Sequence, residues 1–573
     1  MNAHEICRSL EQRGYPAELS GDEKTLYVYL TVGGRTLRLS HQFPKRLTRL
    51  PAFDLEDAES FGTLAHVLPY ADDGRGNVCV EDVDSVSVNY DLPTLAYAES
   101  VKRHHALLER VMTDPVWNRS ELIREFHSNW EILCARAKTL SPRLYIANSS
   151  STAQRLQVKK PERKATYGLR GNYLALPQQQ ANNKSFDTFR RAAGWGSRQA
   201  VGKAIVLRLI GTDPAPTKPA ELTAWYFVAV SRLHPDDEDH FRRFQRHPGK
   251  SFWLVFGVEA GNGTTLFGIR FQSTTKRKLP SSIKACEGWQ ITPQAVLSLS
   301  RETLVPRGGA LLDLHDRHVL LVGCGSVGSE LAHRICASGV GKITLSDPDT
   351  FTEDNLYRHT LSVLDIGVSK AVAVARDLRL KYPWCVSDAK ADLLESFEDK
   401  DSLDAFDLVV VAIGSPTVER SFHDAYQASG TNTPLINVWV EGYGIGGHAT
   451  LDVPKTIGCL KCAYVDPETL SRGLTSNLNF LAANQNVTKA HAGCGNQFLP
   501  YNSIAASYSA TMAADLATRY LSGRLDQSSR VSWKGDATEA TRQGLKLTYR
   551  HEHFSAANQV KPLYNPECDV CAG

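Results

Sequence analysis

The chain has 573 residues, of which 65 are basic and 62 acidic, so its formal net charge at pH 7 is only +3. Because basic and acidic residues nearly balance, the chain as a whole has no strong positive potential that would favour nucleic acid. Its length predicts about three or four domains. The 42% of hydrophobic residues supply enough apolar side chain for several cores. No apolar run is long enough to span a bilayer, and the first residues lack a secretory signal pattern. We therefore expect a cytoplasmic protein without a membrane segment, whose 12 cysteines are reduced.

The first 112 residues predict a small α+β domain. The pattern indicates a helix over residues 3–14, two hairpin strands, a proline-marked extended passage and a second helix over residues 95–112. His66 and then Gly76-Asn-Val-Cys79 lie between the extended passage and the second helix. A cysteine on an irregular, glycine-flanked loop is exposed, as a nucleophile that exchanges thioesters must be. Cys79 is therefore a candidate catalytic nucleophile; the alternative is a small apolar side chain in a loop.

This order of elements, with its sharpest part at Gly76-Asn-Val-Cys79, resembles a ubiquitin-conjugating domain. The resemblance implies that Cys79 carries a thioester. It departs from the eukaryotic pattern after His66, where Val67 and Leu68 replace a proline and an asparagine. In the family that asparagine is held to stabilise the oxyanion during transfer. The departure implies that the donor here comes from elsewhere or is dispensable.

Residues 113–296 predict a folded α+β or β-rich segment in which no chemistry can be named. Aromatic residues between positions 117 and 133 indicate a helix. Three apolar runs have the composition of strands: residues 224–230, 251–256 and 264–271. Basic and polar stretches within residues 159–183 indicate solvated loops rather than a nucleic-acid surface. We interpret the segment as a spacer that positions two catalytic domains.

Residues 318–330 predict the core of a third domain. They form a buried-strand pattern, a turn with Gly323, Gly325 and Gly328, and the start of an amphipathic helix. Glycines let backbone N–H groups approach phosphate oxygens, which a Cβ would obstruct. This turn fits a dinucleotide as well as a mononucleotide. Asp347 closes the next strand, 19 residues after Gly328, where either nucleotide offers ribose hydroxyls.

The residues that follow favour a mononucleotide, because Arg358 and Lys370 come soon after Asp347. A dehydrogenase needs no cations converging on phosphates there. An enzyme that splits ATP between its α- and β-phosphates does, since fixed cations stabilise the charge on the departing pyrophosphate. The run resembles the adenylation domain shared by ubiquitin-activating enzymes and the bacterial activators of sulfur-carrier and molybdopterin proteins. The resemblance implies catalytic roles for Arg358 and Lys370 and an ATP site made of Gly323, Gly325, Gly328, Asp347, Asp349, Asn355, Arg358 and Lys370.

The alternative for Arg358 and Lys370 is a pair of surface cations after a Rossmann turn. The family also places an aspartate after a later strand, where it serves the magnesium on ATP. With Arg420 as the anchor of the alignment, Ser415 takes that place here. Mg²⁺ is then expected to be held by phosphates and water, or by Asp347 or Asp349.

Two Cys-x-x-Cys pairs follow, Cys459 with Cys462 and Cys568 with Cys571. Two such pairs complete the tetrahedral shell of a structural Zn²⁺, although each also fits a redox dithiol. Between them lies Cys494. In ubiquitin-activating enzymes the thioester cysteine lies on a segment that crosses the nucleotide site after the first zinc pair, and Cys494 has that relative position. The alternatives are a structural cysteine or direct transfer from the adenylate to the N-terminal domain.

The predicted fold is multidomain α/β, in three parts. They are a ubiquitin-conjugating-like α+β domain (1–112), an α+β middle segment (113–296) and a Rossmann-like, doubly wound adenylation domain with a zinc site (297–573). The chain is similar to the fused conjugating–activating proteins of the bacterial cyclic-oligonucleotide (CBASS) antiphage systems. This resemblance implies adenylation of the C-terminal glycine of a cGAS/DncV-like nucleotidyltransferase, thioesters on Cys494 and Cys79, and conjugation to acceptor proteins.

The family resemblance also implies a homodimer. In dimeric adenylating enzymes an arginine that precedes the first strand crosses to the partner's nucleotide site. Arg301 or Arg307 has that position here, and an exposed arginine without a role is the alternative. Two other classes of protein remain open: a nicotinamide-dependent oxidoreductase, and a scaffold whose conjugating-like domain is inactive.

Overall fold

The computed structural model describes residues 2–69, 73–80, 88, 91–147, 153–160, 171–177, 184–195, 200–260, 263–390, 399–466, 468–490, 497–555, 561–563, 565–568 and 570. The chain divides into two compact units. The first contains residues 1–180 and 194–300, and the second contains residues 181–193 and 301–573.

The first unit begins with an antiparallel sheet that carries helices on one face. Its elements are α1 (Ala3–Glu11), β1 (Ala17–Leu19), β2 (Thr25–Val32), β3 (Arg35–Gln42), β4 (Phe53–Leu55), β5 (Val67–Pro69), β6 (Gly76–Val78), α2 (Pro93–Thr113) and α3 (Pro115–Arg124). The strand order is β1-β2-β3-β4-β6-β5. Alternate residues of β2, from Leu26 to Val32, are buried. Strand period two puts them all on one face, where they share a core with Ile6 of α1 and Val101 of α2.

The rest of the first unit is a strongly curled mixed sheet with helices. The elements in this part of the chain are α4 (Phe126–Arg136), β7 (Leu144–Ile146), β8 (Gln154–Lys159), β9 (Tyr173–Pro177), α5 (Lys184–Ala192), β10 (Ala200–Arg208), α6 (Leu222–Val230), α7 (Pro235–Gln245), β11 (Gly249–Ala260), β12 (Gly263–Arg277), β13 (Gln290–Gln294) and β14 (Val296–Ser298). The strand order is β13-β12-β11-β10-β8-β9-β7-β14. Only Ala295 separates β13 from β14, at opposite ends of this order, so the sheet curls until its ends adjoin.

Helix α5 is the exception, because it belongs to the second unit. The ring of Phe186 stacks on that of Trp384, with centroids 5.0 Å apart and an interplanar angle of 25°. Such aromatic stacking adds to the apolar area that the two rings bury. The second unit therefore includes a helix from more than a hundred residues upstream of its main segment.

The second unit is a doubly wound α/β sheet. Its other elements are α8 (Arg301–Arg307), β15 (His318–Val322), α9 (Ser326–Ala337), β16 (Lys342–Ser346), α10 (Lys370–Lys381), β17 (Val386–Lys390), α11 (Lys400–Leu403), β18 (Leu408–Val411), α12 (Pro416–Ser429), β19 (Leu435–Val440), β20 (Gly446–Asp452), β21 (Lys489–Ala490), β22 (Gln497–Phe498), α13 (Ser503–Leu521), β23 (Ser529–Lys534), α14 (Thr538–Arg542), α15 (Tyr549–His553) and β24 (Lys561–Pro562).

The main sheet of this unit has the order β17-β16-β15-β18-β19-β20-β23-β24, and the first five strands are parallel. In β15, Val319 and Leu321 enter one core while Leu320 and Val322 enter another. A strand that is apolar at every position is the pattern of a parallel sheet covered on both faces. The multidomain α/β fold and its Rossmann-like C-terminal part are thus confirmed.

Two expectations for the middle segment are corrected by the structure. Residues 224–230 are not a strand but most of α6, in which Leu222, Tyr226 and Ala229 are buried at helical spacing. A short run that is apolar at every position has no period to separate a helix from a strand. The helix expected over residues 117–133 is two helices, α3 and α4, which meet at Glu125. The strands expected over residues 251–256 and 264–271 are confirmed within β11 and β12.

Within the described part of the chain, none of the helices combines the length and hydropathy that a membrane crossing requires.

Candidate functional site

The glycine turn after β15 holds its three glycines for different reasons. Gly323 has a φ of +92°, and a Cβ there would lie 2.6 Å from the carbonyl oxygen of Ala412. A Cβ at Gly328 would lie 1.8 Å from the carbonyl oxygen of Gly323, so α9 packs on the turn only without one. A Cβ at Gly325, by contrast, would meet nothing within 4 Å. The turn is therefore open at the N-terminus of α9, where a phosphate binds best.

Asp347 ties this turn to the end of β16. One carboxylate oxygen accepts the N–H of Cys324 at 2.6 Å, and the other accepts the N–H of Asp349 at 2.8 Å. The side chain is buried, and desolvation raises the pKa of its carboxyl. Asp347 thus ties the glycine turn after β15 to the loop that follows β16.

Lys370 lies at the first position of α10 and reaches back to the same loop. Its Nζ is 2.8 Å from Oδ2 of Asp349, and its backbone N–H donates to the Asp349 carbonyl at 2.9 Å. The lysine side chain is only 11% exposed, whereas that of Asp349 is 67% exposed. The pair therefore presents a nearly buried cation and an accessible carboxylate at the edge of the site.

Arg358 is brought to the glycine turn by a residue that lies far along the chain. Its guanidinium lies 5.6 Å from the ring centroid of Tyr501, a cation–π distance. The Tyr501 hydroxyl is 2.7 Å from Oγ of Ser326, which is the first residue of α9. Tyr501 thus connects the arginine to the end of the helix that faces the expected phosphates.

His359 stabilises the glycine turn through a hydrogen bond to the backbone. Its Nδ1 accepts the N–H of Leu361 at 3.2 Å, so the neutral ring carries its proton on Nε2, which donates to the Cys324 carbonyl at 2.6 Å. Burial lowers the pKa of His359 to about 4, which keeps the ring neutral at pH 7. Neither His359 nor Tyr501 was predicted as a site residue from the sequence.

Two further residues near the turn make local contacts. Asn355 accepts the N–H of Thr352 with its side-chain oxygen, at 3.2 Å, and so caps the short helix Glu353–Arg358. Ser415 takes the N-cap position of α12, where its side chain accepts no capping hydrogen bond. One turn later, buried Glu419 accepts the N–H of Gly414 at 2.8 Å, and burial raises the pKa of its carboxyl to about 7.

The thiols of Cys459, Cys462 and Cys568 lie within 4.8 Å of one another, and all three residues are buried. Hydrogen bonding with Cys462, together with burial, raises the pKa of Cys459. A divalent cation would reverse that preference, because metal-bound thiols are deprotonated. These three residues therefore fit three positions of a zinc shell. The fourth predicted ligand, Cys571, lies outside the described residues.

In the first unit Cys79 follows β6 and is exposed. Its N–H donates to the carbonyl of His66 at 2.8 Å. The His66 ring lies between two carboxylates, with Nδ1 at 2.7 Å from Glu125 and Nε2 at 3.1 Å from Glu121. The hydrogen bond with Glu125 is the main cause that raises the pKa of His66. The ring thus ties the chain beside Cys79 to Glu121 of α3 and to Glu125, which joins α3 to α4.

Cys494 lies outside the described residues. The strands that bracket it, β21 and β22, pair antiparallel, with Lys489 opposite Phe498 and Ala490 opposite Gln497. The segment that precedes β21 is held to the turn after β19 by hydrogen bonds. Glu441 accepts the N–H groups of Phe480 and Leu481 there, at 2.7 and 2.8 Å.

Comparison with known proteins identifies the second unit. Residues 299–556 match the model of the ThiF family. The adenylyltransferase and sulfurtransferase UBA4 of Yarrowia lipolytica is 31% identical over 135 residues, which is 23% of this chain and 33% of that protein. The solved structure of Escherichia coli MccB with ATP is 18% identical, covers 45% of this chain and 68% of that chain, and has a TM-score of 0.30.

The family match is almost wholly confined to the second unit, and residues 1–298 lie outside it. The chain is also similar to a second group of proteins over a longer stretch. The ATP-dependent ubiquitin transferase-like protein Cap2 of Pseudomonas aeruginosa is 22% identical over 318 residues, 54% of this chain and 55% of that protein. This relationship confirms the family resemblance drawn from the sequence. The aligned region spans about half the length of Cap2.

Proposed function

We propose that this protein uses ATP to adenylate the C-terminal glycine of a protein substrate and then conjugates that substrate to other proteins. The observation that carries the proposal is the convergence of Lys370, Arg358 and the open glycine turn at the carboxyl ends of the parallel strands. Ligands of open α/β sheets bind at that edge. The ThiF match and the relationship to Cap2 support the same reaction.

In the first step a carboxylate oxygen of the substrate attacks the α-phosphorus of ATP. The bond from that phosphorus to the bridging oxygen breaks, and pyrophosphate leaves with the electron pair. Lys370 and Arg358 are placed to stabilise the charge that develops on the departing group. Lys370 must exchange its bond with Asp349 for phosphate oxygens, which frees the exposed Asp349 carboxylate.

Mg²⁺ is expected on the ATP phosphates, where it would neutralise part of their charge. Asp349 is the accessible carboxylate of this site, since both oxygens of Asp347 already accept backbone N–H groups. Carboxylate oxygens are the ligands Mg²⁺ prefers, and it usually takes only one or two from the protein. Asp349 would thus hold the ion in place of the missing aspartate at Ser415.

In the later steps we propose that the acyl group passes through two cysteines. The Cys494 thiolate attacks the acyl carbon and expels AMP, and the Cys79 thiolate then displaces Cys494. An amine of the acceptor protein finally attacks the Cys79 thioester and expels the thiolate. The exposure of Cys79 supports its place as the last carrier. The resemblance to the CBASS proteins supports a cGAS/DncV-like nucleotidyltransferase as the substrate and antiphage defence as the setting.

The reaction is tested by ATP–pyrophosphate exchange with substrate proteins of defined C-termini. Exchange should require ATP and a terminal glycine, and a substrate lacking that glycine should give only the background rate. ATP, but not a nicotinamide cofactor, should raise the melting temperature, since only a ligand that binds the folded state stabilises it. Stabilisation by the nicotinamide cofactor alone would favour an oxidoreductase and contradict the proposal.

For the cysteine cluster we predict one zinc ion per chain. Cys568→Ser should lose the metal and lower the free energy of unfolding, because metal binding is coupled to folding. The loss should be about 4 kcal/mol where free zinc exceeds its Kd a thousandfold. Cys286→Ser is the matched control, since Cys286 lies outside the cluster. Elemental analysis that finds no zinc in the wild-type protein contradicts the site.

We also propose a homodimer formed through the second unit. Large apolar residues are exposed on the chain that follows the nucleotide site and on α13: Tyr357, Val363, Leu364, Ile504 and Tyr508. The helix Glu353–Arg358 packs on α13, and exposed apolar residues grouped in this way mark contact surfaces. Arg301 pairs with Glu302 at 3.1 Å and Arg307 is exposed, so either can act in trans after rearrangement.

Leu364→Asp should therefore convert the dimer to a monomer at micromolar concentration, because a buried unpaired carboxylate opposes the contact. Leu474→Asp is the control, since Leu364 and Leu474 are both 87% exposed. Light scattering measures the mass of each variant. A wild-type monomer that is fully active would show that the dimer is not required.

A further inference from the structure

One cavity of the second unit is lined by cations. Its volume is about 350 Å³, within the roughly 300–1,000 Å³ of small-molecule sites. The lining residues are Arg530, Val531, Ser532, Tyr549, Arg550, His553, Phe554, Ser555 and Lys561. Three of them are arginine or lysine, one is histidine, and none carries a carboxylate.

Two of the lining cations lie opposite each other on neighbouring strands. Arg530 of β23 and Lys561 of β24 are direct partners across the two strands. Like charges directly opposite each other destabilise a sheet. Among the described residues no carboxylate lies within ion-pair distance of Arg530, Arg550 or Lys561, although the buried Glu441 carboxylate acts on Arg550 from farther away. An anion between them would turn this repulsion into attraction.

Arg550 is held in place before any ligand arrives. Its guanidinium donates to the Leu478 carbonyl at 2.9 Å and to the Ser532 hydroxyl at 3.0 Å. The same group lies 5.6 Å from the ring centroid of Phe480 and 5.1 Å from that of Phe554. Burial lowers the pKa of Arg550 to about 10, which leaves it charged at pH 7, and burial also lowers the pKa of Arg530. Preorganised, partly desolvated guanidinium groups bind phosphate strongly.

The walls indicate the size and kind of ligand. The rings of Tyr549 and His553 lie against each other, with centroids 3.9 Å apart, and Tyr549 is largely exposed. A flat aromatic group can stack there, while Ser532 and Ser555 add hydroxyls to the lining. We propose that this cavity binds a phosphate-bearing small molecule of up to mononucleotide size, at a site separate from the glycine turn.

The competing explanation is that Arg530 only offsets the charge of the zinc thiolates. Burial lowers the pKa of Arg530 overall, but the charge of Cys462 acts in the opposite direction, so the cysteine cluster does act on this arginine. The explanation accounts for neither Lys561 nor His553. It predicts loss of zinc rather than loss of phosphate binding when Arg530 is replaced.

The test is calorimetry of the full chain with inorganic phosphate and with AMP. A non-hydrolysable ATP analogue at saturation blocks the glycine turn. The wild-type protein should bind phosphate, and Arg530→Gln should weaken binding about tenfold or more while leaving zinc content and pyrophosphate exchange unchanged. Arg524→Gln removes an equal charge from the exposed chain before β23 and should leave binding unchanged.

If Arg530→Gln does not fold, Lys561→Gln serves instead, since Lys561 is exposed at the sheet edge. Tighter binding of AMP than of phosphate would show that the aromatic wall contributes, and equal binding would limit the contact to the phosphate group; both support the proposal. Absence of binding by the wild-type protein, equal binding by Arg530→Gln, or loss of zinc alone in that variant would overturn it.

Discussion

Lys370→Ala should slow ATP–pyrophosphate exchange, because it removes more than about 3 kcal/mol of transition-state stabilisation. That is the range found when one oxyanion donor is removed. The reason is the position of the side chain. Lys370 is 11% exposed and its ammonium is held 2.8 Å from Asp349, so the cation is oriented before the nucleotide binds. A water molecule that replaces the lysine cannot supply a fixed charge to the departing pyrophosphate.

The control for this variant is Lys381→Ala. Lys381 is the last residue of the same helix, α10, and is exposed, so its removal changes the net charge equally without touching the site. Exchange by that control should match the wild type. A Lys370→Ala protein that stays within about tenfold of the wild type has lost only about 1.4 kcal/mol, and Lys370 would then have no part in the chemical step.

The second large effect is expected for the two carrier cysteines. Cys79→Ala should abolish conjugates while leaving adenylation and the Cys494 adduct intact, because no nucleotide site lies near Cys79 in its own domain as described. Cys494→Ala should abolish both adducts yet spare pyrophosphate exchange. A thioester is cleaved by thiols and an isopeptide bond is not, so reducing and non-reducing gels distinguish the intermediates from the product.

Cys7→Ala is the control within the N-terminal domain. Burial raises the pKa of the Cys7 thiol, which makes it a poor nucleophile, and its replacement should leave both adducts in place. Charging of Cys79 in the Cys494→Ala protein would mean that the acyl group passes directly from the adenylate to the conjugating-like domain. Cys494 would then be structural.

The sequence by itself determined the features that depend on neighbouring residues. The strand His318–Val322, the turn and the helix that follows need only strand composition, glycine conformational freedom and helical period, and all three were predicted. The convergence of Asp347 and Lys370 on that turn also followed, since successive parallel strands end at one edge of the sheet. The prediction from neighbouring residues was wrong at residues 224–230. This run is apolar at every position, so it has no period that separates a strand from a helix, and it forms most of α6.

Only the tertiary structure decided contacts between residues that are distant in the chain and carry no motif. Tyr501, for example, reaches Ser326 across 175 positions. The repulsion between Arg530 and Lys561 likewise depends on the pairing of β23 with β24. Such pairs leave no periodic trace in the sequence, because the distance between them is set by how whole helices and strands pack. Their chemistry therefore became visible only once the second unit was folded.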